Sequence, residues 1–448
     1  MTKKNWVLLL LFILLLVGYI KLFYKTYSET TVAKTADYII ALDTKRITNT
    51  FIWNIITTPS QWKFSSSSDD DKDKVSLEDM VRLPDYVFVF HSTNHPLNAW
   101  YTVLEIKDKD DFAKGLQQFH FEKKDGLSAS KELGIEFIQS GDQLLVGNIA
   151  VEDKNFIRQI ADELFTQKKY AAKDLLKKNI DAASHLSVQI TKNNFLQEEW
   201  LISANFDKAK IVASTGFTPK FNTNFAVNNF MYSDSSLCTL AFTQPYPAIH
   251  PLLPDSAWAD ISKVLNFNID SLLLPTNTRY QLDIQGIYPR VDSAISYAYD
   301  DNFKPVEKVV MNTVEEPAFD FTVQGVDVSP VYNYWKSNSK LEQTAAGELF
   351  TPIPFVKSYC SIKNETQLAV TSNNYKAAPA KHSVQCILFF KLMLTKIPPS
   401  LMKYLPDEAV ALTKNMESLE LTVNNEKGQI IIHCIFNKKK NDLPIIEW

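Results

Sequence analysis

The 448-residue sequence contains little glycine and lacks the short motifs that mark common catalytic sites. Only 11 residues are glycine, which works against glycine-rich loops that cradle phosphate groups. Neither a G-x-S-x-G nucleophile motif nor a G-x-x-x-x-G-K-[ST] phosphate-binding motif occurs. Catalytic groups of many enzymes meet only in the folded chain, so these absences argue against an enzyme without excluding one. We predict no catalytic residue and no cofactor.

Basic charge is not concentrated anywhere along the chain. The 47 Lys and Arg residues are mixed with 51 Asp and Glu residues, which gives a net charge of −4. Proteins that bind nucleic acid through its phosphates usually carry a basic stripe or patch. We therefore predict no nucleic-acid partner.

One long apolar run, WVLLLLFILLLVGYIKLFY, occupies residues 6 to 24. Nineteen helical residues cover about 30 Å, the thickness of the hydrocarbon layer of a bilayer. Lys21 lies near the end of the run, where its side chain would reach the headgroups. The best site for signal cleavage, around Ala33, lies too far from the run, and no cysteine stands near it for lipid attachment. Residues 1–24 are predicted to be an uncleaved transmembrane signal anchor.

The orientation of this anchor follows mainly from the size of what comes after it. Lys3 and Lys4 precede the run while Lys21 and Lys25 follow it, so the positive-inside rule gives little bias. A large region directly after an N-terminal anchor is usually exported. We predict a single-pass protein of the inner membrane whose remaining residues are periplasmic. Its predicted partners are the membrane, through the N-terminal helix, and an envelope protein or lipid.

Period-two alternation of apolar and polar residues predicts many short strands. Residues 37–43, 280–284 and 295–299 are predicted as strands, and residues 200–217 and 418–436 as hairpins. The apolar spacing over residues 156 to 165 predicts an amphipathic helix. Strand–helix–strand alternation is too sparse for a doubly wound sheet. The predicted fold class is α+β, with hairpin-rich antiparallel sheets that carry helices on one face, plus the N-terminal transmembrane helix.

A polar, Asn-rich connection at residues 218–230 separates two predicted extracytoplasmic α+β units, 25–217 and 231–448. The first contains a low-complexity acidic stretch, SSSSDDDKDK at 65–74, which is predicted to be a flexible loop. Each unit closes on a long hairpin. A duplicated unit and a chance recurrence of hairpins both remain open, because the two stretches share few identities.

The layout, together with YTVLEIKDKDDFAKGL at 101–116 and the closing hairpin, resembles uncharacterised membrane-anchored bacterial envelope proteins of unknown function. The resemblance implies an extracytoplasmic α+β protein. It supplies no catalytic residue to carry over.

The only closely spaced histidines are His91 and His95, in HSTNH. They follow a predicted strand and enter a loop at Pro96, and no glutamate stands between them, unlike the H-E-x-x-H motif of zinc enzymes. We treat the pair as the one candidate metal site and weigh it against two structural histidines. The acidic loop at 65–74 has oxygens for calcium, but it lacks the glycine and terminal glutamate of an EF-hand, which favours a solvated loop.

Four cysteines, 122, 26 and 48 residues apart, form no C-x-x-C pair, which argues against a thiolate zinc site and against a redox dithiol. In an oxidising compartment they would suffice for two disulfides, but four buried thiols are the simpler interpretation, since a chain of this size needs no covalent staples. The cysteines are Cys238, Cys360, Cys386 and Cys434.

Two aromatic clusters, VYNYWK at 331–336 and Phe51 with Trp53, are interpreted as core packing and alternatively as a groove for a lipid, glycan or peptide. The sequence as a whole predicts a non-enzymatic binding or scaffolding module of the cell envelope. The alternatives are an envelope hydrolase or metal-dependent enzyme near His91 and His95, and a carrier of apolar ligands.

Overall fold

The computed structural model describes most of the chain after the first 23 residues. The described ranges are 24–57, 75–93, 95–149, 155–191, 199–207, 209–218, 226–243, 255–264, 278–299, 303–353, 356–376, 382–403, 410 and 413–439. The chain divides into two compact units, one formed by Met1–Phe217 with Asp442–Trp448 and the other by Thr218–Asn441. The predicted acidic loop at 65–74 lies outside the described residues.

The first unit is built on antiparallel strands joined largely by hairpins. Its strands are β1 (Ala36–Asp43), β2 (Val81–Arg82), β3 (Tyr86–Ser92), β4 (Tyr101–Ile106), β5 (Glu122–Lys124), β6 (Leu127–Ser130), β7 (Ile135–Ser140), β8 (Gln143–Asn148), β9 (Leu186–Ile190), β10 (Trp200–Phe206) and β11 (Lys210–Phe217). They lie in the order β11-β10-β9-β1-β3-β4-β8-β7-β6-β5, and β2 pairs with the end of β4. Its helices are α1 (Thr44–Thr57), α2 (Leu77–Met80), α3 (Lys109–Gln118), α4 (Asn155–Ala161), which continues into a π-helical turn at Asp162–Thr166, and α5 (Lys173–Asp181).

Both faces of this first sheet are apolar. Leu145 faces a core that includes Ile157 and Leu176 of the helices α4 and α5, whereas the adjacent Leu144 faces a second core with Phe112 of α3. Successive residues of a strand point to opposite faces, so neighbouring buried leucines mark a sheet that is covered on both sides.

The second unit is also built on antiparallel strands. They are β12 (Asn228–Tyr232), β13 (Cys238–Thr243), β14 (Arg279–Tyr299), β15 (Pro305–Gln324), β16 (Leu341–Thr344), β17 (Gly347–Phe350), β18 (Ser358–Asn364), β19 (Gln367–Ser372), β20 (His382–Cys386), β21 (Leu388–Met393), β22 (Met416–Glu426) and β23 (Gln429–Lys438). The main sheet has the order β23-β22-β21-β13-β14-β15-β19-β18-β17-β16. The helices are α6 (Asp255–Val264), α7 (Ser329–Ser337), a 3-10 turn at Leu394–Lys396 and α8 (Pro399–Met402).

The second main sheet is likewise covered on two sides. Val331 and Trp335 of α7 pack on one face, against Tyr280 and Val323 among others. On the other face, the separate two-stranded sheet of β12 and β20 packs Phe230 against Phe389. Trp335, only 1% exposed, fills the centre of the first of these cores.

The two units share one strand order. When the ten strands of each main sheet are numbered along the chain, leaving out β2, β12 and β20, both sheets read 10-9-8-1-2-3-7-6-5-4. In both units a helix joins the first and second strands, and another joins the third and fourth. The same topology therefore occurs twice in this chain. The units differ before the eighth strand, where the first unit has helices before β9 and the second unit has the strand β20 before β21.

The predicted fold class is wrong. The structure supports a mostly antiparallel β protein, with 51% of residues in strands and 22% in helices, in place of α+β with helices on one face and an N-terminal transmembrane helix. One physical reason is that both faces of the sheets are buried, and another is that residues 279–324 form two long strands instead of several short ones. Among the described residues, no helix has both the length and the apolar character needed to cross a bilayer. All of the predicted anchor except Tyr24 lies outside the described residues.

Candidate functional site

The predicted histidine pair is held by hydrogen bonds that use both ring nitrogens of His91. Its Nδ1 atom lies 2.6 Å from Asp37 Oδ1, and Nε2 lies 3.1 Å from the backbone oxygens of His95 and Pro96. His91 is only 2% exposed. All three partner atoms are acceptors, so both ring nitrogens already face oxygen atoms of the protein, and a metal would have to displace one of these contacts.

His95 is placed against aromatic rings. Its Nδ1 atom lies 3.0 Å from the Tyr101 hydroxyl, and its ring centroid lies 4.7 Å from that of Phe156. Burial lowers the pKa of His95, and the nearby His91 lowers it further. No group of three or more His, Cys, Asp or Glu side chains suited to a metal occurs in the described part of the chain. A metal at His91 and His95 stays a prediction.

The other sequence candidates fall mainly in cores. All four cysteines are free thiols; Cys360 and Cys386 are buried, and Cys238 and Cys434 are half-buried. Burial raises the pKa of the Cys386 thiol to about 11, which disfavours the reactive thiolate. Trp335 is a core residue, whereas Trp53 is 63% exposed and contradicts the core interpretation of its cluster.

A row of polar side chains crosses one face of the second main sheet. The pairing register aligns Glu420, Lys391, Thr239, Asp283, Asp320 and Thr371 on six neighbouring strands. Asp283 and Asp320 are directly opposite each other on β14 and β15, where like charges destabilise a sheet. Hydroxyl groups compensate for this, since Asp283 accepts hydrogen bonds from Thr239 (3.1 Å) and Tyr375 (3.0 Å).

The Asp320 carboxylate is held in the same way, by Thr371 (2.6 Å) and Thr322 (2.9 Å). The two carboxylates line a small cavity of about 90 Å³. Burial raises the pKa of Tyr375, and the Asp283 carboxylate raises it further. Each of the two carboxylates is therefore held by two hydroxyl donors of the protein, which is the arrangement of a satisfied polar network.

At the other end of this row, Lys391 joins two carboxylates. Its Nζ atom lies 2.9 Å from Asp234 and 3.1 Å from Glu420, and 4.9 Å from the centre of the Tyr232 ring. Burial alone lowers the pKa of Lys391, but the hydrogen bonds to the two carboxylates outweigh it and raise the pKa overall. His382 Nε2 lies 2.6 Å from the same Asp234 carboxylate. These contacts fasten the β12–β20 sheet to the main sheet.

The strands β14 and β15 extend beyond their other neighbours as a two-stranded ribbon. β13 pairs with β14 only over residues 279–284, and β19 pairs with β15 only over residues 320–324. Residues 286–299 and 305–318 pair with each other. We call this ribbon the arm. Thirteen residue steps of about 3.4 Å make it roughly 45 Å long.

The base of the arm is fixed to the second unit. Buried Glu316 accepts a hydrogen bond from Arg290 Nε (2.8 Å) and another from Asn374 (2.7 Å). Glu315 accepts one from Ser400 of α8 at 2.5 Å. An open cavity of about 440 Å³ lies at this base, lined by Tyr288 and by five other residues: Ser235, Gln285, Pro289, Asn374 and Lys376.

The outer part of the arm is exposed on both faces. Every residue from 291 to 298 and from 303 to 309 is exposed. One face carries five large apolar side chains, each more than 60% exposed: Val291, Ile295, Tyr297, Val309 and Met311. The register pairs Ile295 with Val309, Ser293 with Met311 and Tyr297 with Glu307, so these five side chains form a continuous patch, the apolar stripe.

The arm was not predicted from the sequence, because residues 286–294 contain Gly286 and Pro289, which are typical of turns. Separate strands were predicted at 280–284 and 295–299, whereas one strand, Arg279–Tyr299, covers both. The usable signals are the apolar residues at 291, 295 and 297, all of one parity, and the valine-rich segment VEKVVMNTV at 306–314, whose composition favours a strand.

The fold and the arm define a class of protein with two similar antiparallel sheet units, one of which carries a long exposed ribbon. No protein-family model matches the chain, and no curated protein or solved structure matches it.

Proposed function

We propose that the chain is a non-enzymatic binding or scaffolding module of the cell envelope and that the arm is its protein-binding element. The apolar run at residues 6–24 supports attachment to the inner membrane, with the remainder outside the cytoplasm, on sequence grounds alone. The observation that carries the binding function is the exposed apolar stripe on a ribbon that the sheet does not need.

The comparison between the two units supports this. In the first unit the corresponding strands β3 and β4 have 7 and 6 residues, whereas β14 and β15 have 21 and 20. A two-stranded hairpin is at best marginally stable by itself in water, and apolar patches of this kind usually mark interaction sites. The extension therefore fits a surface that is covered by a partner.

The nature of the partner follows from the charges beside the stripe. Glu307 lies opposite Tyr297 on the striped face and is exposed, so insertion of this face into a bilayer would bury a carboxylate. A protein surface accommodates such a charge at the polar rim of an interface. Of the two partners predicted from the sequence, an envelope protein and a lipid, the protein therefore fits the striped face better.

A photoreactive residue at Ile295 tests the proposal. Placed there in the full chain in living cells, it should form a covalent adduct with a protein on illumination. The matched control is position 296, which is adjacent, exposed and on the opposite face. Adducts at neither position, or equal adducts at both, would contradict a specific interface on the striped face.

The alternatives from the sequence stay predictions. The enzymatic one has the facing pair Asp283 and Asp320 in its favour. Their hydroxyl partners and the small cavity favour a structural polar network, because an acid–base site needs room for a substrate within hydrogen-bond reach. An enzymatic turnover detected in the unaltered chain would favour the enzyme instead if it disappeared in both Asp283→Asn and Asp320→Asn while folding stayed intact.

A further inference from the structure

We infer that the partner of the apolar stripe is a second copy of this chain, so that two arms pack face to face. This rests on the proposed function and names its partner. A second copy presents a patch of the same length and apolar character by identity, as self-complementary interfaces between like subunits do.

The size of the surface fits such a pair. The outer ribbon, from Val291 to its turn, is about 27 Å long and about 10 Å wide, with large side chains standing out from it. Each face covers about 270 Å² in projection and two faces cover about 540 Å², and although the accessible surface of the protruding side chains exceeds this projection, the contact belongs to the small, transient class of protein interfaces. The arms alone therefore fit a weak, reversible dimer.

The charges beside the stripe are compatible with this packing. The stripe centres on the pair Ile295 and Val309, with Glu307 on its tip side and Glu315 towards the base. When a twofold axis crosses the strands at the central pair, Glu307 comes to lie over Ser293 and Met311 of the other copy. Neither glutamate then faces a copy of itself, and Glu307 lies on the open edge of β15, which pairs with β19 only at 320–324, so its carboxylate can stay at the solvated rim of the contact.

Packing through the face is favoured over pairing through the edge of the arm. Pro289 and Pro305 lie on the two strands of the ribbon and have no backbone N–H to donate to an added strand. Charged side chains at Lys304 and Lys308 further discourage an edge neighbour. Two exposed faces remain, and the striped face is the more apolar of the two, because the opposite face carries small and polar residues such as Ser296 and Lys308.

The test uses the full chain with Ile295→Cys and, as its control, Ser296→Cys, both exposed but on opposite faces. Under mild oxidation in cells, Ile295→Cys should give a disulfide-linked pair of identical 51.1 kDa chains, identified by mass spectrometry. Ser296→Cys and the unaltered chain, whose own cysteines are buried or half-buried, should not. Purified full-length protein should be dimeric by sedimentation velocity, and Ile295→Lys should make it monomeric with an unchanged circular dichroism spectrum.

The outcomes separate this inference from the proposed function. Equal linking by both cysteine variants, or an unaltered dimer in Ile295→Lys, overturns self-association through the stripe. A monomeric chain whose photoreactive residue 295 captures a different protein also overturns it and leaves the proposed function standing. A monomeric chain with no adduct at residue 295 overturns both.

Discussion

Replacement of His91 by alanine should destabilise the protein strongly, because this side chain fills a buried site and lies within hydrogen-bond distance of three acceptors. The ring is 2% exposed and reaches Asp37, His95 O and Pro96 O. Loss of a buried ring and of its hydrogen bonds should lower the free energy of unfolding by about 3–5 kcal/mol. Urea denaturation followed by tryptophan fluorescence measures this.

The same variant decides whether His91 has a metal role. A ligand present at 100 times its Kd stabilises the folded state by about 2.7 kcal/mol. Since both nitrogens of His91 face acceptors, we expect added zinc to leave the melting temperature unchanged in the native chain. His120→Asn is the control, since His120 is exposed and asparagine tolerates its φ of 51°. Two results would refute the reasoning: a stabilisation by zinc that disappears in His91→Ala, or a drop of less than about 1 kcal/mol in the free energy of unfolding of that variant.

Three further predictions concern the arm, a helix and an ion pair. Replacing residues 292–312 by Asn-Gly, which joins the paired residues Val291 and Thr313, should preserve folding, judged by circular dichroism, and should make the chain monomeric in sedimentation velocity; an unfolded product would show that the arm is part of the core. Gly115→Ala would place its Cβ 2.2 Å from Met80 Sδ, so overpacking should outweigh the gain in helix propensity. We expect urea titrations to show a loss of about 1–2 kcal/mol in the free energy of unfolding. The same substitution should cost less in a Met80→Ala background, compared with Met80→Ala alone. The hydrogen bond from Lys391 is the main cause that lowers the pKa of Asp234. The stabilisation from this carboxylate is therefore complete above about pH 4 and disappears as the pH falls through the lowered pKa of Asp234 in the folded protein. Lys391→Met should weaken the dependence of stability on pH in that acid range, and a pH profile identical to that of the native chain would contradict this.

Local structure was predictable where a single period runs through a segment. The apolar spacing at 156–165 corresponds to α4 and the π-helical turn after it, and the hairpins at 200–217 and 418–436 correspond to β10–β11 and β22–β23. Each of these depends on residues close together in sequence, so one pattern contains the whole signal.

The order of the strands was not predictable in the same way. β13 pairs with β21, whose residues are about 150 positions away, and nothing in either segment specifies that partner. The polar row has the same origin, because Asp283 meets Asp320 only through the register of two long strands. Such contacts depend on long-range pairing, which alternation alone does not encode.

The repeated topology makes the arm the most informative departure in the chain. Because the first unit builds the same strand order with β3 and β4 of 7 and 6 residues, the sheet is complete without the outer halves of β14 and β15. These outer halves bury little against their own unit and expose Ile295, Tyr297 and Met311 to water. Their apolar surface gains free energy only when something covers it, and this is the physical basis of the proposed binding role, since the folding of the unit that carries the arm does not require them.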